Sequence, residues 1–218
     1  MYESNLAITK KIEVANYSIT NAINNPIITT ALTAFGYDTT KLNEGKTLLD
    51  NLKVLQAGQK QEYIEQRAAT ADRDAIRTQI DEIYARHLKL AKIAFKNEPN
   101  ILLALEADGP REQAFDSWKG QVTTFYDAAL SNQPIMDGLS RFNITATNLT
   151  DVQALLTTYE NVTATQKTQT AEAQQATLDR DKAIQALDIW MRGFQEVAKI
   201  ALKATPQLLE ALGIAVKR

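Results

Sequence analysis

Cysteine is absent from this 218-residue chain. That excludes a disulfide framework and a thiolate metal site, and it fits a reducing or an oxidising compartment equally well. Histidine occurs once, as His87, so an HExxH helix, the paired Glu-x-x-His motifs of di-iron bundles and any multi-histidine centre are excluded. The longest uninterrupted apolar run is residues 101–105, far short of the roughly 18–20 residues that cross a bilayer. Gly-rich phosphate loops, EF-hand loops and Gly-x-Ser-x-Gly elbows are also missing. An excess of one charge is missing too: 24 Lys and Arg face 26 Asp and Glu, for a net charge of −2. The two signs alternate along the chain, whereas a nucleic-acid binder gathers its basic residues on one face to neutralise phosphates. Charged residues within the first twenty positions break any apolar segment of a signal peptide. These absences predict a soluble protein, cytoplasmic by default, that is no enzyme, takes no cofactor and binds no nucleic acid.

What the chain does contain is itself, twice. Sliding it by 107 positions aligns residues 31–106 with 138–213 without a gap, and about 25 of those positions are identical, far above chance. Asp72-Arg73-Asp74 returns as Asp179-Arg180-Asp181, Leu48-Leu49 as Leu155-Leu156, and Gln59-Lys60 as Gln166-Lys167. Upstream the match weakens, and a one-residue shift pairs Pro26 with Pro134, Val14 with Val122 and Tyr17 with Phe125. Pro99 and Pro206 close the last long helix of each half, since the ring forbids helix continuation. Asp108-Gly109-Pro110 marks the boundary between residues 1–107, the first helical repeat, and 108–218, the second; together they are expected to form one folded unit.

Period-3.6 patterning dominates and period-two alternation is absent, so the class is all-α. Each half opens with an amphipathic stretch, 4–24 and 111–131, in which Leu6, Ile12, Tyr17 and Ile23, or Trp118, Val122, Phe125 and Leu130, recur at helical spacing. Short apolar segments follow, with Phe35 and Phe142 as expected buried anchors. Asp38 and Thr145 then introduce N-cap chemistry. Residues 41–96 and 148–203 contain no proline, and a coiled-coil-like 4-3 stepping runs through both, apolar at the ends and polar in the middle. One helix of about 55 residues, or a hairpin turning near 70–74, satisfies that pattern; the lack of Gly, Pro and Asn in ATADRDA and ATLDRDK favours the continuous helix. The resulting architecture is an internally duplicated helical bundle with long antiparallel helices and pseudo-two-fold symmetry.

Few residues carry chemistry. His87 has Phe194 as its repeat partner, which marks a packing position rather than a base or a ligand. The Asp-Arg-Asp triplets are the sharpest polar signal. If the centres of antiparallel long helices cross, Asp72, Asp74, Asp179 and Asp181 converge and four carboxylates would hold a hard cation; otherwise they form solvated faces on which Arg73 and Arg180 find local partners. The leading expectation is a structural or protein-interaction protein that engages a protein partner or its own copies, with Tyr63 and the residues Asp72, Arg73, Asp74, Asp179, Arg180 and Asp181 as the exposed surface. The alternative is a bundle that binds a small molecule or divalent cation through those triplets.

Overall fold

The computed structural model describes residues 5–216, and of Asn5 and Phe115 the backbone only. All elements among the described residues are helices: α1 (Asn5–Asn24), α2 (Pro26–Thr33), α3 (Thr39–Ala94), α4 (Pro99–Ala104), α5 (Phe115–Ser131), α6 (Gln133–Ser140), α7 (Ala146–Ala201) and α8 (Gln207–Glu210). Both proline-free stretches are single helices of 56 residues, so the hairpin alternative is not adopted. Their starts follow from local chemistry. The Asp38 carboxylate accepts from the Lys41 amide at 2.9 Å, while Thr145 accepts from the Asn148 amide and Asn148 Oδ1 accepts from the Thr145 amide at 3.0 Å, a reciprocal cap. No helix is long and apolar enough to cross a membrane among the described residues.

The chain divides into two compact units that do not follow the midpoint of the sequence. Unit 1 takes the described residues up to Ile64 together with those from Ala171 onward; unit 2 is Glu65–Thr170. Each unit therefore combines helices from both halves of the sequence. The core of unit 1 joins Ile19 and Ile28 to Leu42 and Leu49 from the first part of α3, and to Leu187, Trp190 and Phe194 from the last part of α7. The core of unit 2 joins Phe125 and Ile135 to Leu149 and Leu156 from the first part of α7, to Ile80 and Tyr84 from the last part of α3, and to Phe95 in the turn just after it. Size is matched locally. A Cβ at Gly45 would lie 2.4 Å from the Trp190 ring, and one at Gly138 would lie 2.4 Å from the Phe95 ring, so each large ring is seated where its neighbour has no side chain.

Three sequence expectations need correction. Phe35 is 50% exposed and Phe142 is only half-buried. The anchors are Leu32 and Leu139, together with the residues after the left-handed turns at Gly36 (φ 82°) and Asn143 (φ 59°). There the Tyr37 and Ile144 amides donate back to Leu32 O and Leu139 O, and the chain reverses so that the residue after the turn, not the Phe before it, faces inward. The one-residue shift between the opening helices is also wrong in phase. Ala15, Ile19 and Ala22 are buried in α1 as Val122, Tyr126 and Ala129 are in α5, an unbroken offset of 107, whereas Val14 and Tyr17 face outward. A shift of one residue rotates a helix face by about 100°, which is why residue type alone misled. Lastly, α5 begins at Phe115 rather than near 111, because residues 106–113 are held by side chains described below.

Candidate functional site

The Asp-Arg-Asp triplets are distributed between the units: Asp72, Arg73 and Asp74 lie in unit 2, Asp179, Arg180 and Asp181 in unit 1. Within each triplet the two carboxylates are two positions apart on a continuous helix and so point to different faces. Arg73 Nη2 contacts Asp74 Oδ1 at 2.6 Å on an open surface. Arg180 is buried; its Nη2 donates to Asp181 Oδ1 at 2.7 Å and its Nη1 to Gln59 Oε1 at 3.3 Å. Asp179 accepts from Gln175 Nε2 at 2.9 Å and lies 3.4 Å from the Lys182 ammonium. The Gln175 hydrogen bond, then Lys182, hold its carboxyl below the usual range. Asp72 edges a shallow depression of about 270 Å³ with Glu65, Ala69, Val162 and Gln169. Tyr63 and its neighbour Ile64 are half-exposed on the part of α3 that belongs to unit 1. Among the described residues no three Asp, Glu or His side chains are grouped so as to hold a metal ion.

His87 is buried in unit 2, with its Nδ1 3.1 Å from the Tyr126 hydroxyl. Burial pushes the imidazole down to about 4, with Arg86 contributing, so the ring is neutral at pH 7. This is the packing role its Phe194 counterpart implied, with one hydrogen bond added.

Sequence reading missed a second polar theme, built around the identical pair Asp81 and Asp188. In unit 2 the Trp118 indole N–H donates to Asp81 Oδ1 at 2.7 Å, and Arg111 Nη2 lies 3.5 Å from the same oxygen. In unit 1 the Lys11 ammonium meets Asp188 Oδ2 at 2.5 Å, and Lys11 stands 107 positions before Trp118. Beside this ion pair, between α1 and α7, an open groove of about 730 Å³ is lined by Lys10, Val14, Leu187, Met191 and Arg192 among others. The identity of Asp81 and Asp188 was legible in the repeat; that Lys11 would replace an indole donor against it was not, because the two residues share no chemistry beyond an N–H. No protein-family model, curated protein or solved structure matches the chain.

Proposed function

We propose that this is a non-enzymatic structural or protein-interaction protein, a scaffold or assembly element in which a duplicated helical unit forms a bundle with pseudo-two-fold symmetry. One observation carries the reading: the middle of each 56-residue helix is folded without a core to fold against. From residue 56 to residue 79 of α3 only Ala69 is buried, and from 160 to 182 of α7 only Thr163, Ala173 and Arg180 are. A helix that buries no apolar stripe draws its stability from the segments it connects and from surface pairs. Within these stretches Tyr63, Ile64 and Leu178 stand about half-exposed. Aromatic and aliphatic side chains held on a rigid helix make low-entropy contact points for another protein.

The duplication is supported by the matched bounds of α2 with α6 and α3 with α7, each pair offset by 107. It is supported also by the left-handed residues Gly36 and Asn143, and Glu106 and Gly213, which obey the same offset. The antiparallel arrangement is supported inside unit 1: Gly45 lies against Trp190, while fourteen residues later Gln59 meets Arg180, ten residues earlier on α7. Cation binding by Asp72, Asp74, Asp179 and Asp181 is the second reading. It draws less support, since Arg73 and Arg180 each engage an aspartate of their own triplet.

A photo-crosslinking side chain placed at Tyr63 tests the interaction reading in the cells that make the protein. A discrete adduct with one partner or with a second copy is expected from position 63 and not from the exposed control position Lys46. Equal adducts from both positions, or none from 63, would contradict it.

A further inference from the structure

In unit 2 the segment 106–113 is strapped across the face formed by α5 and the last part of α3. Gln121 Nε2 donates to Glu106 O and Pro110 O at 3.1 Å each, and its Oε1 accepts from the Glu112 amide at 2.9 Å. Arg77 donates to Gln113 O at 2.9 Å, and Arg111 lies beside Asp81 as given above. The offset of 107 carries this face onto unit 1, where Asp188 answers Asp81, Lys11 answers Trp118, Val14 answers Gln121 and Ile184 answers Arg77. There residues 213–216, the counterparts of 106–109, pack beside α1 near Tyr17 and Ser18 and do not line the groove, which stands open with Val14 49% exposed. The side chains have changed in a consistent sense. The backbone-gripping Gln and Arg have become Val and Ile, and three groove-lining positions that are uncharged in unit 2, Ser117, Trp118 and Ala85, are Lys10, Lys11 and Arg192 in unit 1. Since Lys11 is engaged by Asp188, Lys10 and Arg192 leave the groove with positive charge above an apolar floor of Ala7, Leu187 and Met191.

We infer that this groove of unit 1 docks an extended acidic peptide segment of a protein partner, much as segment 106–113 lies on the equivalent face of unit 2. An aliphatic side chain of the partner packs on Val14 and Met191, whose flexible thioether adapts to shape, and flanking carboxylates meet Lys10 and Arg192. Charge complementarity selects an acidic occupant over a basic one, and the apolar floor selects one with an aliphatic residue between its acids. The inference deepens the interaction reading above and rests on it.

The test is a titration of the isotopically labelled full-length protein, followed by amide NMR shifts, with a capped acidic octapeptide of sequence ADGPEELE and its basic analogue ADGPKKLK. Saturable shifts confined to residues 7–15 and 187–195 are expected with the acidic peptide alone. A Lys10→Glu, Arg192→Glu double variant, its fold verified by unchanged shifts elsewhere, should bind at least about tenfold more weakly. Equal response to both peptides, no saturation up to several millimolar, or an undiminished affinity of the double variant would overturn the proposal. Groove shifts that depend on protein concentration without peptide would overturn it as well, in favour of a second copy as occupant. The two tests separate: a silent groove with an adduct at Tyr63 removes the groove alone, while a responsive groove without that adduct removes the mid-helix surface.

Discussion

His87 and Tyr126 form a polar pair inside unit 2 at positions where the offset of 107 places Phe194 and Ile19 in unit 1. The imidazole is desolvated, and its value falls from 6.5 to about 4. A depressed value means that the folded state refuses a proton which the unfolded chain accepts. The contribution to stability is therefore whole above pH 6.5 and is lost as pH falls toward 4, by roughly 2–3 kcal/mol between pH 7 and pH 4.5. Replacing His87 by Phe should leave the protein folded, since Phe194 occupies the corresponding place, and should remove this part of the acid sensitivity. Urea unfolding of both proteins at the two pH values measures it; an identical loss on acidification in the variant would show that His87 is not the group responsible. The sequence made the packing role of His87 legible through its Phe counterpart. It did not show the Tyr126 partner, because a contact between residues 39 positions apart leaves no mark in local pattern.

At the scale of elements, continuity of the long helices was readable because turn residues are missing from 70–74 and 177–181 while N-cap residues stand at Asp38 and Thr145. The face of α1 was only partly readable. Ile12 and Ile23 pack on the core beside the buried Ile8, Ala15, Ser18, Ile19 and Ala22, while Leu6, Val14 and Tyr17 are exposed, so apolar residues stand on both sides of the helix and residue type alone does not fix the inward stripe. Only residues 111–113 of the strap fall within the helix the spacing predicts, and the strap itself left no local mark: its anchors Gln121 and Arg77 are polar residues on other helices, and their capture of backbone carbonyls is a tertiary event. The candidate groove in unit 1 was hidden with it, being visible only against the strapped face. Continuity can be tested in α3 itself. Proline at Ala71, an exposed position, would remove a helical hydrogen bond and clash with the preceding turn, at a cost of about 3 kcal/mol or more. Amide exchange around residues 66–76 should accelerate accordingly. Wild-type exchange and stability in Ala71→Pro would mean that the chain turns there.

For the molecule as a whole, the notable property is that units of packing and units of sequence differ. The sequence matches itself at an offset of 107 residues, while burial groups the first part of one long helix with the last part of the other. Composition could reveal the first and not the second, because which helix end meets which is decided by the fit of particular side chains, such as Trp190 over Gly45 and Phe95 over Gly138. Because each core draws on both long helices, neither half of the sequence carries a complete core. The most direct test of this account is the behaviour of fragments. Unit 2 is one continuous stretch, residues 65–170, that straddles the boundary of the repeats. Expressed alone it should be a helical monomer with a cooperative thermal transition in circular dichroism. The sequence half 1–107, which carries only one side of each core, should lack such a transition as a monomer. A cooperatively folding monomer of 1–107 beside an unfolded 65–170 would contradict the account.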